Sequence, residues 1–253
     1  MSIYVQQKNQ EYWDRESEEY AASHPGNSDS SRHPSWGVWD IREAELQVLG
    51  DVRDRDLLEL GCGDAHDALA FAVQGARVTA IDFSTVQLDR ARAFLEGAAA
   101  EVTLREADAA DLPFADESFD YVVSDYGAFD FTDPGVAVPE AARVLRPGGI
   151  LAVCTLSPLV SMCVDHASGA LAESLQNNYF DLYGTDCEDV VMYALTYSDW
   201  VGVGRDSGLV LESLHDLRPP ADWKPLYDGQ HHLRFEWARQ WPAEHVYVFR
   251  KPA

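Results

Sequence analysis

The residues best placed to do chemistry lie between Asp56 and Ser84, in D-L-L-E-L-G-C-G-D-A-H-D-A-L-A-F-A-V-Q-G-A-R-V-T-A-I-D-F-S. Gly61 and Gly63 follow an apolar run, where a strand must turn sharply and let a ligand approach the main chain. Asp82 ends the next apolar run, where an acid accepts hydrogen bonds from ribose hydroxyls. The three together read as a nucleoside-binding turn. A dinucleotide loop would be G-x-G-x-x-G, but His66 stands at its sixth position, which weakens a pyrophosphate reading. Further groups able to move a proton are His66, Asp125, Tyr126, His166 and the adjacent pair His231–His232. A general base matters only if a hydroxyl or an acidic carbon must lose a proton. Tyr126, Asp125 and His232 are the catalytic candidates; a histidine pair in a loop serves equally as plain surface.

The elements that must hold these residues follow from periodicity. Leu57–Leu60 is of the length of a buried parallel strand. Asp64 is a candidate helix cap, with Ala68, Leu69, Ala72 and Val73 at helical spacing and Gly75 as the stop. Arg77–Ile81 is a second strand. Ser84 caps a helix with Val86, Leu88, Ala91 and Leu95 as buried candidates. Strands are expected at Glu101–Arg105 and Phe119–Val123. Asp133 and Pro134 open a helix that ends at R-P-G-G, before a fifth strand. Leu209–Leu217 and His245–Arg250 read as the last two strands. Upstream, a charged helix over Asn9–Ala22, a polar loop from His24 to Pro34 and a short helix over Ile41–Leu49 form an arm. Trp36 and Trp39 in this arm serve either as a lid over a cationic ligand or as staples to the core.

L-P-F-A-D-E-S-F-D followed by an apolar strand, and later E-A-A-R-V-L-R-P-G-G-I-L-A-V, are specific phrases. They resemble the methyltransferase type 11 family, and E-L-G-C-G resembles motif I of class I S-adenosylmethionine-dependent methyltransferases. Glu59, Gly61 and Gly63 match that motif, and Ala65 stands where a third glycine often sits. The resemblance covers about two-thirds of the chain, most closely Leu57 to Val153. It implies an α/β Rossmann-like fold: a doubly wound seven-stranded sheet, mostly parallel, with the last strand antiparallel. It implies S-adenosyl-L-methionine as cofactor, held by Glu59, Gly61, Cys62, Gly63 and His66 of the turn, and by Asp82, Phe83 and Gln87 beyond the second strand. Asp108 and Ala109 would lie beside the adenine, Ser124 and Tyr126 near the methionine part, and Trp39 would cover the site. Domain bounds follow: an arm or lid over 1–50, a core over 51–253, and an aromatic-rich substrate cap over 157–196. The cap's composition suits an apolar or aromatic small molecule and suits ordinary packing as well.

The chain has 253 residues and a formal net charge of -24. That field repels phosphate backbones and disfavours a nucleic-acid substrate. No stretch approaches the ~20 apolar residues needed to span a bilayer, and the first residues lack a signal peptide's apolar core. Cys62, Cys154, Cys163 and Cys187 show no metal spacing and no disulfide framework, so no metal is expected and a reducing cytoplasm fits. Two functions stay open: methyl transfer to a small molecule, possibly a secondary metabolite, or a methyltransferase fold retained for binding or for cyclisation. A nicotinamide-dependent oxidoreductase stands third.

Overall fold

The structure, a computed structural model, describes residues 3–23, 33–165, 170–223 and 235–253. His166, His231 and His232 lie outside the described residues, as does most of the loop expected after His24. Seven strands form one sheet: β1 (Asp56–Leu60), β2 (Arg77–Asp82), β3 (Val102–Glu106), β4 (Phe119–Asp125), β5 (Leu145–Leu156), β6 (Val210–Leu217) and β7 (Glu244–Arg250). Their spatial order is β6-β7-β5-β4-β1-β2-β3. The five strands from β5 to β3 pair in parallel, and β7 runs antiparallel to both its neighbours. This is the sheet the sequence leads one to expect.

The side chains of β1 show why the sheet sits mid-layer. Leu57 packs into one apolar cluster, with Ala68, Phe71 and Leu88, while Leu58 and Leu60 pack into another, with Val138, Ala141 and Trp200. A strand's alternation sends neighbours to opposite faces, so both faces must be covered by helices. Those are α2 (His66–Val73), α3 (Thr85–Leu95), α4 (Pro134–Val144) and α5 (Tyr197–Asp206), preceded in the chain by α1 (Ile3–Ser23). Ser84 Oγ accepts from Gln87 N at 3.1 Å and starts α3 as expected. Within α3, Leu88 and Ala91 are fully buried, but Val86 is 37 % exposed and does not join the core. Asp133 Oδ1 accepts from Gly135 N at 2.9 Å, with Pro134 in the first turn of α4.

Two local expectations are corrected. Asp64 does not cap α2: the cap is Ala65, at φ 66°, with no side-chain bond. Ala65 thus holds the left-handed conformation that glycine supplies in many such turns. The helix expected over Ile41–Leu49 is a single turn, Glu43–Leu46, preceded by a hairpin pairing Ser35–Trp36 with Ile41–Arg42. Gly37 (φ 69°) and Asp40 (φ 55°) make the hairpin turn, and Gln47 (φ 53°) stops the helix. The Glu43 carboxylate anchors the arm by accepting from Trp36 Nε1 at 2.7 Å and Leu49 N at 2.7 Å.

Candidate functional site

Parallel strands end together, so the loops after β1, β2 and β4 meet at one edge. Register fixes the neighbours: Leu60 lies beside Ile81, Glu59 beside Val123, and Asp125 beside Cys154. Gly61 follows β1 at φ 70°. A Cβ there would lie 2.5 Å from Ala128 N, and one on Gly127 would lie 2.5 Å from Leu60 O. The two loops therefore touch backbone to backbone, which only glycine on each side permits. Ser124 sits beneath this contact, donating to Leu60 O at 3.0 Å and accepting from Ala128 N at 3.1 Å. Gly63 is different: a Cβ there would meet nothing within 4 Å.

Gly63 opens onto a cavity of about 180 Å³ at this edge. Of the residues expected at a cofactor, Glu59, Gly61, Cys62, Gly63, His66, Asp82, Phe83, Gln87 and Tyr126 line it, as does Asp125. Asp82 Oδ2 accepts from Gly63 N at 3.0 Å, and Oδ1 from Ser84 N at 2.8 Å. The acid thus ties the glycine turn to the cap of α3 and borders the cavity.

Four expected residues are placed elsewhere. Ser124 lies beneath the floor. Asp108 and Ala109 are not among the lining residues; the Asp108 carboxylate accepts from Ala110 N at 2.8 Å in its own turn. Trp39 is 2 % exposed, packed edge-on to Trp223 at 4.9 Å and to Phe235 at 6.3 Å. It is a core residue here, and Trp36 likewise packs on Phe71.

The cover is instead α1. Trp13 and Phe131 line the cavity, their rings edge-to-face at 5.0 Å. Polar side chains pin the helix down: Gln10 donates to Phe83 O at 2.8 Å, and Asp14 accepts from Ser84 Oγ at 2.6 Å. Asn9, almost fully buried, donates to Phe131 O and Val191 O and accepts from Val191 N. Trp13, Phe131, Asp64 and Asp67 were missed by sequence reasoning. Trp13 shows only as an apolar point on a charged helix, with nothing local to say what it faces.

The electrostatics are one-sided. Glu59, Asp64, Asp67, Asp82 and Asp125 line the cavity, and no Lys or Arg is among the lining residues. Burial raises the Asp82 carboxyl to about 6, against the pull of the Ser84 and Gly63 N–H groups. Burial and then Asp125 bring Asp67 to about 8. Burial brings Asp125 to about 7, although Gly37 N donates to it at 2.8 Å. Glu59 is pushed well up, by burial first and then by Asp67 and Asp125. Glu244, at the start of antiparallel β7, joins this edge fully buried and is raised to about 7 by burial, opposed by Val38 N–H. Burial works against the His66 imidazolium, but Asp64, 3.4 Å away, more than offsets it and raises His66. Glu59 Oε2, Asp125 Oδ1 and His66 Nδ1 are buried without a hydrogen-bond partner among the described residues.

This doubly wound sheet, with an antiparallel seventh strand between the fifth and sixth and a glycine turn after the first, is the fold of class I methyltransferases. A chain from Mesorhizobium loti described as an S-adenosylmethionine dependent methyltransferase shares it, with a TM-score of 0.65 and 24% identity over 82% of this chain and 95% of that one. The [4+2]-cyclase SpnF shares it too, with a TM-score of 0.64 and 20% identity over 96% and 95% of the two chains. Residues 58–153 match the profile of the family described as "Methyltransferase domain" (Methyltransf_11). A demethylmenaquinone methyltransferase of Clavibacter sepedonicus is 37% identical over 138 residues, 53% of this chain. The protein spans about half the length of such curated relatives, 56% in that case.

Proposed function

We propose that the protein is an S-adenosylmethionine-dependent methyltransferase acting on a small molecule by in-line displacement. One observation carries this reading: five carboxyl groups surround the glycine turn, with His66 the one basic side chain and no Lys or Arg among the lining residues. A pair of unit charges 4 Å apart is worth about 4 kcal/mol at an effective dielectric of 20. A pyrophosphate would add two negative charges to this set, whereas a sulfonium with an ammonium relieves it. That argues against a nicotinamide dinucleotide and for the activated methionine. The orphaned Glu59 Oε2 and Asp125 Oδ1 fit such a cation, and the space before Gly63 fits a ligand against the backbone.

When bound, that cofactor supplies an electrophilic methyl group on sulfur. The chain's own residues would do the rest. Asp82 would accept from ribose hydroxyls beside the turn it already braces. Glu59 and Asp125 would face the ammonium and sulfonium. Trp13 and Phe131 would exclude water under α1, which strengthens every charge interaction inside. Asp108, in its turn after β3, would read the adenine edge from the flank of the cavity. The family match over 58–153 and the relatives named for methyl transfer support the reading, and the relatives' quinone chemistry favours an apolar acceptor. No helix of the described residues is long and apolar enough to cross a membrane, and four free cysteines suit a reducing cytoplasm. The test is calorimetric titration with S-adenosylmethionine, S-adenosylhomocysteine and NAD, followed by labelled methyl transfer to phenols, amines and polyketides. Binding of the two methionine derivatives and transfer to one acceptor class are expected. Preference for NAD defeats the reading. Tight cofactor retention without transfer to any acceptor defeats the methyl-transfer part alone.

A further inference from the structure

The one-turn helix Ala128–Phe131 borders two cavities. Ala128 and Phe131 line the cavity described above, while Asp130 lines a second one of about 440 Å³, between the end of β5 and the segment 157–196. That volume is within the ~300–1,000 Å³ usual for small-molecule sites. Its walls are largely apolar, with Leu156, Val160, Leu182, Met192 and Tyr193 among them. Methionine sulfur and tyrosine edges both suit a flat aromatic guest. Polar groups on the wall are mostly spent on the chain: Asn177 Nδ2 donates to Ser161 O at 2.9 Å and Val164 O at 2.7 Å. Asn178 Oδ1 accepts from Phe180 N at 3.1 Å.

Of the two acids on the wall, Asp181 is exposed and accepts from Asn178 Nδ2, while Asp130 is buried. It is 8 % exposed, accepts from Thr155 Oγ1 at 2.6 Å, and has no Lys or Arg among its neighbours on the cavity wall. Burial lifts its carboxyl to about 7, against the pull of the Thr155 hydroxyl. A carboxylate at the end of an apolar cavity is costly to keep unless a donor meets it. An ammonium would pair with it but stay protonated and lack the lone pair a displacement needs. A hydroxyl donates its single proton and is thereby made nucleophilic.

Resting on the methyltransferase reading, we propose that this cavity takes the methyl acceptor, an apolar aromatic molecule with a phenolic or enolic hydroxyl, whose proton Asp130 receives. Thr155 is a positioning residue that holds the carboxylate toward the cavity. In the transfer, the hydroxyl proton goes to Asp130. The freed oxygen pair forms the O–C bond as the C–S bond breaks, and that bond's electron pair stays on sulfur.

The test uses the whole protein with 1-naphthol and naphthalene as probes, in calorimetric titrations across pH 5.5–8. Wild type should bind 1-naphthol at least ten-fold tighter than naphthalene, the preference growing as pH rises through about 7. Asp130→Asn should cut the preference below three-fold and abolish its pH dependence while naphthalene binds as before. Leu182→Trp, which fills the cavity, should lose both probes. If Asp130→Asn does not fold, Thr155→Val, which keeps the carboxylate but frees it to turn, should reduce the preference several-fold. Unchanged preference in the Asp130 variant (or in Thr155→Val, where that variant stands in), probe binding that survives Leu182→Trp, or no saturable 1-naphthol binding to wild type overturns the proposal. S-adenosylhomocysteine titrated in parallel reports on the other cavity. Its failure with 1-naphthol binding intact sinks the cofactor reading; the converse sinks only the acceptor site.

Discussion

Replacing Gly61 and Gly63 one at a time by alanine separates what holds the turn from what the turn holds. Both glycines have positive φ, 70° and 51°, so either alanine costs about 1–2 kcal/mol of left-handed strain. At Gly61 the new Cβ would also stand 2.5 Å from Ala128 N and 2.8 Å from Gly127 Cα. Those are backbone atoms and cannot swing aside, so overpacking adds about 1–3 kcal/mol. Gly61→Ala should therefore lose about 2–5 kcal/mol, a large share of the ~5–15 kcal/mol that holds a typical domain folded. At Gly63 the Cβ meets nothing within 4 Å, so stability should fall only by the strain. Its methyl would instead project into the proposed cofactor cavity and weaken S-adenosylhomocysteine at least ten-fold, about 1.4 kcal/mol. Urea unfolding gives the first quantity and calorimetry the second. A Gly61→Ala protein within 1 kcal/mol of wild type would refute the backbone packing described here. A Gly63→Ala protein with wild-type affinity would remove the ligand from this turn.

Other expectations follow from the same site. Asp67, Asp82, Asp125 and Glu244 have carboxyls raised to between about 6 and 8, so the folded protein keeps protons that the unfolded chain releases near pH 4. Stability without ligand should fall as pH rises from about 4 to 8 and then level off, while stabilisation by cationic S-adenosylmethionine should grow between pH 6 and 8; melting scans showing the opposite slopes would contradict this. Asp82→Ala should cost about 1.5–3 kcal/mol of cofactor affinity, and comparable stability, because it also frees Gly63 N and Ser84 N; unchanged calorimetric affinity would take Asp82 out of the site. Trp39→Ala should lose about 3–5 kcal/mol of stability and leave cofactor affinity alone, whereas Trp13→Ala should do the reverse; thermal melts and titrations of both variants decide it.

Much of this was legible because it is local. The β1 turn, the acid ending β2 and the caps at Ser84 and Asp133 each depend on residues a few positions apart, so spacing alone identifies them. Asp64 misled because a cap is read from residue type, whereas the tight turn instead put Ala65 in a left-handed conformation. Trp39 misled for a different reason. An indole near a proposed site resembles a lid, but its burial was decided by Trp223 and Phe235, far along the chain.

What the sequence determined by itself is the class of fold and the chemistry of the glycine turn, since both rest on short-range pattern: alternation in strands, spacing in helices, the missing Cβ at Gly61. What only tertiary structure decided is which distant groups share the site. β7 enters antiparallel, so its first residue, Glu244, arrives at the edge where parallel strands finish. α1 lies across that edge and brings Trp13 over the cavity, while the turn Ala128–Phe131 lends residues to two cavities. These are contacts between segments separated by a hundred residues or more, or choices of which side a single turn presents. They are set by packing and by where buried carboxyl groups find donors, and no local pattern encodes that.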